Sequence, residues 1–304
     1  MTAIYFDSTM DEELRRKRLY AGDLFVYSPK PSVIALCELA REMLEEAFGG
    51  DPMNAQFRMP VEEFVSIFAP VKPQFIHHPK TKQLFQDVVT ELGCDLTKTY
   101  IDVPRLRGVT HGGYLTAGVG YAHQPHRDTW YSAPMSQINW WIPLYDFESE
   151  SSMAFHPRYW DQGMLNGSAE FNYYEWNATS RKNAAQHIKQ DTRKQPHPEE
   201  TIELKPEIRV VCPPGGALLF SAAQLHSTVP NTSGRTRFSM DIRTVHIDDV
   251  LSMNGAPNID SHSPTTSLRD FMRGSDLERV SDDIASRYDK VPSAEGELVF
   301  KAPG

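Results

Sequence analysis

The sequence predicts a mainly β protein with flanking helices, an antiparallel sandwich or jelly roll that N-terminal helices support. Helical periodicity dominates the chain up to Gly93. After Gly93 come short segments rich in β-branched and aromatic residues, separated by Gly, Pro, Asn and Asp. Because the helices come first and the strands after them, helices that buttress a sheet are favoured over an alternating parallel α/β fold.

Two amphipathic helices and one shorter helix are predicted before Gly93. Residues 31–48 and residues 80–92 carry apolar side chains at helical spacing, and each run ends at glycine. The shorter helix is predicted from Val61 to Phe68.

Seven later segments have the composition of strands. They are residues 99–103, 114–122, 136–145, 151–155, 207–211, 216–220 and 236–245.

We expect a single domain over residues 1–304. Residues 1–95 are predicted to form the helical support, residues 96–248 the jelly-roll core and residues 249–304 a helical tail. A long polar insertion at residues 161–200, helix-like in its second half, interrupts the core. Insertions of this length in a compact domain are more often functional than idle, so the insertion is a possible lid.

Composition narrows the possible functions. The 304 residues are 40% hydrophobic, and the formal net charge of -9 argues against a binder of nucleic acid or membrane surfaces. The three cysteines are far apart in sequence, which indicates neither a disulfide framework nor a structural zinc site. Since neither a signal peptide nor an apolar run of about eighteen residues is visible, we expect a cytoplasmic protein with a small-molecule partner.

The stretch YAHQPHRDTW at residues 121–130 is the first candidate metal site. In a strand, residues two apart point to the same face, so His126 and Asp128 would share a face while Arg127 turns away. An HRD triplet also occurs in ordinary surface turns. A third ligand from a distant strand would complete a facial triad of two histidines and one carboxylate, and His226 is the residue placed to supply it.

Arg237 is the candidate anion-binding residue beside this site. If the turn at residues 230–234 closes a hairpin, Arg237 lies next to His226 on the neighbouring strand and can clamp the far end of a short diacid. Alternation along this strand gives it a polar face and an apolar face, although a polar face in water is the commoner arrangement. The polar face consists of Arg237, Ser239, Asp241 and Arg243, and the apolar face of Phe238, Met240 and Ile242.

Four motifs between Gly113 and Val245 resemble one enzyme superfamily. They are HRD at 126–128, WIPLYD at 141–146, PPGGALLF at 213–220 and HSTVPNTSGRTRFS at 226–239. With these motifs the chain resembles the iron(II)- and 2-oxoglutarate-dependent oxygenases, in particular their phytanoyl-CoA-dioxygenase-like branch. The resemblance implies a double-stranded β-helix core, a jelly roll of cupin-like form.

The resemblance also implies roles for individual residues. The implied catalytic residues and iron(II) ligands are His126, Asp128 and His226. The implied 2-oxoglutarate-binding residues are Arg237, Thr228, Ser239 and Trp141. His156 stands where relatives have a different loop sequence, and because three ligands are already present it is not expected to bind the metal. His123 is a possible hydrogen-bond donor close to the metal ligands.

The implied reaction is that of a dioxygenase of the hydroxylase type, an oxidoreductase that also takes O2. It converts 2-oxoglutarate to succinate and CO2 and oxidises an unactivated C–H of a small metabolite. Hydroxylation is the default outcome, while desaturation, ring closure and epoxidation stay open. Because halogenating relatives lack the carboxylate ligand, Asp128 predicts that the protein does not halogenate.

The expected substrate-binding residues are Tyr121, Trp130, Tyr131, Asn139 and Arg243. Each aromatic residue among them is compatible with a place in the core. If Arg243 faces the cavity, it favours a carboxylate-bearing substrate such as an amino acid.

Two alternative functions fit the same residues. In a cupin-type iron oxygenase without 2-oxoglutarate, Arg237 would bind the substrate directly. In a non-catalytic jelly-roll binding protein, the HRD triplet would be vestigial.

Overall fold

The computed structural model describes residues 2–180 and 183–291. The strands in these ranges are β1 (Ile4–Phe6), β2 (Leu24–Tyr27), β3 (Thr99–Ile101), β4 (Arg105–Val109), β5 (Ile138–Pro143), β6 (Met153–Phe155), β7 (Ile208–Val210), β8 (Ala217–Ser221), β9 (His226–Thr228), β10 (Arg237–His246) and β11 (Met272–Arg273). The α-helices are α1 (Glu12–Tyr20), α2 (Pro31–Phe48), α3 (Val61–His77), α4 (Thr81–Glu91), α5 (Tyr173–Glu175), α6 (Ile247–Ser252) and α7 (Asp282–Ala285).

The described strands form a large sheet and a small sheet, which confirms the predicted jelly roll with flanking helices. The large sheet has the order β1-β2-β8-β5-β10-β3-β11, and β4 also pairs with β10. The small sheet has the order β7-β6-β9. The pairs are antiparallel except β1 with β2, which are parallel. That the chain forms a single domain stays a prediction.

Alternation along the strands of the large sheet decides what each face contacts. Trp140, Leu219 and Met240 belong to the apolar cluster that includes the buried faces of α2, α3 and α4. Their neighbours Trp141 and Leu218 belong instead to a second cluster with residues of the small sheet. The large sheet is therefore covered on both faces, which explains why β5 and β8 are buried throughout and mostly apolar.

The helices of the N-terminal part are confirmed, with one correction. Helix α2 ends at Gly49, whose φ of 65° gives the left-handed C-terminal cap, and α4 covers the second predicted run. Helix α3 is longer than predicted, because it continues through Pro70 and Pro73 to His77. Both prolines are exposed, and the apolar stripe on the opposite side stays in register with the core.

The strand predictions are wrong at two places. Residues 114–122 form turns, and the strand of this region is β4, nine residues earlier than the predicted start. The first 95 residues are not purely helical, since β1 and β2 lie there and β2 pairs with β8. Strands of three or four residues are too short to show a period, and here their long-range pairing fixes them.

The insertion and the tail contain less helix than predicted. The helix-like segment of the insertion contributes a π-helical turn at Trp176–Ser180 and a 3-10 turn at Ala184–Gln186, and its residues 181–182 lie outside the described residues. The tail packs Leu268 and Phe271 into a small apolar cluster and adds β11 to the large sheet. No helix in the described part of the chain is long and apolar enough to span a membrane.

Candidate metal centre

His126, Asp128 and His226 converge on one point. One possible ligand atom from each of the three lies within 4.8 Å of the others. The main chains of His126 and His226 exchange two hydrogen bonds, of 2.9 and 3.0 Å, which fixes the two imidazoles beside each other. The strand expected to carry His126 and Asp128 is reduced to a single β-bridge between His126 and His226, because a 3-10 turn begins at Asp128. Arg127 turns away as expected, and its guanidinium donates to the carbonyls of Ala223 and Tyr159.

Main-chain contacts orient both imidazoles. The Nδ1 atom of His126 lies 2.7 Å from the Gln124 carbonyl, and that of His226 lies 3.0 Å from the Gln224 carbonyl. A proton on each Nδ1 leaves each Nε2 as a lone-pair donor directed away from the carbonyl. Burial, together with the neighbouring His126, lowers the pKa of His226 to about 4, so this ring is neutral at pH 7, the form that binds a metal.

The carboxylate of Asp128 is held by polar neighbours on one side. Its Oδ2 accepts hydrogen bonds from Asn139 at 2.9 Å and Gln137 at 3.4 Å, and the Arg243 guanidinium lies 3.7 Å from it. Its Oδ1 lies 3.4 Å from His126 Nε2. Burial alone would raise the pKa of Asp128, but Arg243 and His126 hold it well below its usual range. The carboxylate is therefore ionised, with one oxygen directed at the histidines.

Arg237 is a buried cation without a carboxylate partner among the described residues. Its side chain lies over the ring of Trp141, 5.2 Å from the centroid, and its Nε and Nη1 atoms are buried without hydrogen-bond partners in the described structure. The Ser239 hydroxyl is likewise buried without a hydrogen-bond partner in the described structure. Because unpaired buried donors are costly, these groups fit a carboxylate that arrives with a ligand. This donor set suits the distal end of a keto diacid such as 2-oxoglutarate.

Arg237 does not reach this place by the predicted hairpin. Strand β9, which carries His226, pairs with β6 in the small sheet, whereas β10 pairs with β5 and β4 in the large sheet. Ser239 is paired on both sides and Arg237 is paired with β4, and β9 pairs with neither. The turn after β9 crosses from one sheet to the other, so His226 and Arg237 face a common cavity from opposite sheets.

Two cavities meet at the triad, and we call them the inner lobe and the outer lobe. The inner lobe has a volume of about 730 Å³ and lies between the two sheets. The outer lobe has a volume of about 1050 Å³ and is bounded by α3, β4, residues 118–131 and the insertion. Both lobes are lined by His126 and Asp128.

The expected binding residues divide between the lobes. Arg237, Thr228, Ser239, Trp141 and Asn139 line the inner lobe, Tyr131 lines the outer lobe, and Tyr121 and Arg243 line both. The polar face predicted for β10 therefore lines the cavity and not bulk solvent, while Phe238, Met240 and Ile242 pack in the core.

Trp130 does not lie where a substrate-binding residue was expected. Its side chain is fully buried beside Tyr159, Met164 and Leu225, its Nε1 donates to Asp260 at 2.7 Å, and it lines neither lobe. Consecutive residues of a 3-10 turn point in different directions, so Tyr131 faces the outer lobe and Trp130 faces the core.

Arg243 faces both lobes, and its guanidinium lies 3.7 Å from Asp128 Oδ2. His156 is not part of the triad, and its ring nitrogens contact the Ser227 hydroxyl and the Leu204 carbonyl. His123 lines both lobes, with its ring centroid 5.7 Å from that of His126.

Lys72 and Arg107 were missed by sequence reasoning. Lys72 lies in the part of α3 beyond the predicted end at Phe68, and Arg107 lies on the unpredicted strand β4. The apolar stripe of α3 that continues past its prolines was the available signal for Lys72.

Comparison with known proteins adds a family and several distant structural neighbours. The family model described as phytanoyl-CoA dioxygenase matches residues 34–239. No curated protein sequence matches the chain significantly.

Three of the similar solved structures illustrate the range of the structural neighbours. The non-heme monooxygenase ThoJ in its apo form is 14% identical, with 89% of this chain and 82% of that chain covered and a TM-score of 0.38. The epimerase SnoN in complex with Fe3+, alpha ketoglutarate and nogalamycin RO is 14% identical, with 77% and 85% covered and a TM-score of 0.39. AviO1 from Streptomyces viridochromogenes Tue57 is 16% identical, with 78% and 96% covered and a TM-score of 0.38.

The family model spans more than half of the chain and includes the candidate triad and Arg237. This favours a 2-oxoglutarate-dependent enzyme over both alternatives, the cupin-type oxygenase without 2-oxoglutarate and the non-catalytic binding protein. The chain belongs to the phytanoyl-CoA dioxygenase family, and it is an oxygenase that depends on iron(II) and 2-oxoglutarate and uses dioxygen.

Proposed function

We propose that this oxygenase hydroxylates an unactivated C–H of a small molecule held in the outer lobe. In this proposal His126, Asp128 and His226 are the catalytic iron ligands, and Arg237 binds the distal carboxylate of 2-oxoglutarate in the inner lobe. The observation that carries the proposal is that one cavity contains the triad and the buried Arg237 guanidinium, whose Nε and Nη1 have no hydrogen-bond partner in the described structure. Bound iron, with 2-oxoglutarate and dioxygen, supplies the oxidation of the C–H, and 2-oxoglutarate leaves as succinate and CO2.

The side chains of this protein contribute placement and charge. The carbonyls of Gln124 and Gln224 keep each Nδ1 protonated, which presents two neutral Nε2 donors to one point. Asn139 and Arg243 hold Asp128 by one oxygen and leave the other for the metal. Two neutral donors and one carboxylate leave a net positive charge on iron(II), which suits a dianionic cosubstrate.

The inner lobe is suited to the cosubstrate. Arg237 and Ser239 donate from β10, and Thr228 stands opposite them on β9. Trp141 lies under the guanidinium and excludes water from it. A carboxylate bound here would accept charge-assisted hydrogen bonds from Arg237 and Ser239. Such bonds are strong in a buried site.

Asp128 supports hydroxylation over halogenation, because a carboxylate fills the position that a halide would need. A small carboxylate-bearing metabolite, such as an amino acid, is the substrate class that the cations of the outer lobe favour.

Spectroscopy under anaerobic conditions tests the cofactor assignment. Iron(II) and 2-oxoglutarate, added together to the protein, should produce a visible charge-transfer band. His226→Ala should abolish both the band and iron binding measured by metal analysis. His156→Ala is the matched control, a buried histidine outside the triad, and should keep both. A band that survives in the His226→Ala protein would exclude this ligand set.

The outcome of the reaction is tested by product analysis. A panel of small metabolites is incubated with the enzyme, iron(II), 2-oxoglutarate and air, and succinate is measured beside each metabolite's mass. Hydroxylation predicts one succinate for each product that gains one oxygen atom. A product that loses two hydrogens, or keeps its composition, would contradict hydroxylation while leaving the cofactor assignment intact.

A further inference from the structure

Cationic side chains are concentrated in the outer lobe although the protein as a whole is acidic. Five cationic side chains line it, and Asp128 is the one carboxylate among the described residues that do so. The cationic side chains are Lys72, Arg105, Arg107, Arg193 and Arg243. This concentration of cations contrasts with the net charge of -9 of the whole chain.

Each of the four arginines is already paired with a carboxylate. Arg107 contacts Asp241 at 2.6 Å and Arg243 lies 3.7 Å from Asp128. The two remaining pairs are Arg105 with Asp102 and Arg193 with Asp191. Because a carboxylate lies beside each guanidinium group, the charge of each arginine is already largely balanced.

Lys72 differs from the arginines. Its Nζ donates to the carbonyl of Val119 at 2.9 Å and lies 5.0 Å from the ring centroid of Phe68. No carboxylate lies within ion-pair distance of it in the described residues. An ammonium group has three protons, and the structure gives a hydrogen-bond acceptor to one of them.

Charged groups on three elements act on this amine. Arg107 on β4 and Arg193 in the insertion repel its charge, and Asp241 on β10 attracts it. Burial is the largest influence and, with the two arginines, lowers the pKa of Lys72 to about 7. A bound anion would restore the charged form, since it would supply the counter-charge that the lobe lacks.

A further part of the outer lobe's lining is aromatic. Neighbouring rings run from the triad into the insertion, with centroids 5.4 Å apart from His126 to Tyr131, 5.2 Å from Tyr131 to Phe171 and 5.8 Å from Phe171 to Trp176. Arg193 lies over Trp176 and closes this wall. Such a surface suits an apolar or aromatic body between the reacting carbon and a charged end.

We infer that Lys72 anchors the carboxylate of the substrate, and that the substrate is a small carboxylic acid with an apolar or aromatic body. This inference rests on the proposed function, because it takes the triad as the reacting end of the outer lobe. It replaces Arg243 as the carboxylate anchor, since Arg243 is paired with Asp128.

Binding of matched acids and amides tests the inference. The probes are the ω-phenylalkanoates from phenylacetate to 5-phenylpentanoate, each paired with its primary amide. Full-length protein is saturated with iron(II) and 2-oxoglutarate without oxygen, and binding is measured by calorimetry. At pH about 6.5 the best acid should bind about tenfold more tightly than its amide, the usual size of a hydrogen bond to a charged group.

Three variants test whether Lys72 is responsible for the preference for the acid over its amide. Lys72→Met should remove the preference for the acid, whereas Lys72→Arg should retain it. Lys17→Met changes an exposed helical lysine as a matched control and should retain the wild-type preference. If no acid binds more tightly than its amide, or if Lys72→Met keeps the preference, the inference is wrong.

The pH dependence separates an anchor from a merely structural lysine. The amine loses its proton as pH rises through about 7, so the wild-type preference should fall between pH about 6.5 and 8.5. Lys72→Arg should show no such fall, because a guanidinium stays protonated. The same fall in both proteins would overturn the inference.

Failure of the proposed function is recognised separately. The charge-transfer band is recorded before each titration. A wild-type protein without the band contradicts the cofactor assignment, whereas a band without acid preference contradicts only the role of Lys72.

Discussion

The inner and outer lobes share the triad but have walls of different construction. The inner lobe is bounded by β4, β5, β8 and β10 of the large sheet and by β6 and β9 of the small one, so ladder hydrogen bonds position most of its side chains. The outer lobe is bounded largely by α3, residues 118–131 and the insertion. In the proposed function, 2-oxoglutarate is thus bound by rigid strands and the substrate largely by loops. The sequence of loops can change without disturbing the sheets.

The two lobes are alike in one electrostatic respect. Each contains one cation without a carboxylate partner in the described structure, Arg237 in the inner lobe and Lys72 in the outer lobe. Arg237 is fixed by β10 and by the ring of Trp141, and burial lowers its pKa to about 10, which leaves it charged at pH 7. Lys72 has a pKa of about 7 and is only partly charged there. Binding in the inner lobe is therefore expected to be insensitive to pH near neutrality, unlike binding in the outer lobe.

The largest expected effect comes from Arg237→Ala. Loss of a buried charged partner for the 2-oxoglutarate carboxylate should raise the KM for 2-oxoglutarate about 100-fold or more. Arg235→Ala, two residues earlier and outside both lobes, is the control and should leave this KM unchanged. Binding of the phenylalkanoates in the outer lobe should also be unchanged. A KM that stays within about threefold of wild type would contradict the assignment of Arg237.

The difference between the lobes also explains what the sequence could predict. The inner lobe follows from local rules, because alternation along β10 is enough to place Arg237 and Ser239 on one face. The motifs predict the convergence of His126, Asp128 and His226. The hairpin that was predicted to bring Arg237 beside His226 is wrong. Strand pairing is a long-range choice between partners of similar composition, and sequence periodicity does not decide it.

The outer lobe depends on features that have no local signal. Lys72 lies between Pro70 and Pro73, residues of a type that normally ends a helix, and α3 continues because its buried face keeps packing. Trp130 and Tyr131 are equally aromatic and adjacent, and only the tertiary contact with Asp260 decides which one is core. Residues that face a cavity formed by loops are assigned by packing of distant segments, and this is why the substrate residues were the least predictable.

Arg243→Met is expected to have the next largest effect, and it acts where the two lobes meet. Arg243 contacts the Asp128 carboxylate and not a vacant part of the outer lobe, so its loss should weaken iron(II) binding about tenfold, as for other partners of metal ligands. The acid preference of the phenylalkanoates should persist. Arg273→Met, which changes a partly exposed arginine far from the triad in sequence, is the control. Normal iron affinity together with a lost acid preference would return Arg243 to the role of substrate anchor.

Gly118 lines both lobes, but Gly118→Ala should displace the insertion, which lines only the outer lobe. Gly118 has a φ of 74°, and an added Cβ would lie 2.1 Å from the His187 carbonyl oxygen and 2.4 Å from that of Ala184, both in the insertion. The insertion must then move away, and we expect about tenfold faster proteolysis within it, with the KM for 2-oxoglutarate unchanged.

Gly112→Ala is the matched control for this change. Gly112 also has a positive φ, of 64°, but an added Cβ there would meet nothing within 4 Å. It therefore has the backbone strain without the clash. Equal proteolysis of the two variants would show that strain, and not contact with the insertion, is responsible.

The smallest expected effect comes from Trp130→Phe, which tests where the outer lobe ends. The change removes the hydrogen bond from Nε1 to Asp260 and some buried ring area, and should lower the free energy of unfolding by about 1–2 kcal/mol. Phenylalkanoate binding should stay as in the wild type, because Trp130 lines neither lobe. Tyr131→Ala, one residue later, should instead weaken that binding, since its ring contacts His126 and Phe171. Chemical denaturation and calorimetry measure the two effects independently, and weaker probe binding in Trp130→Phe at unchanged stability would move this residue back into the substrate wall.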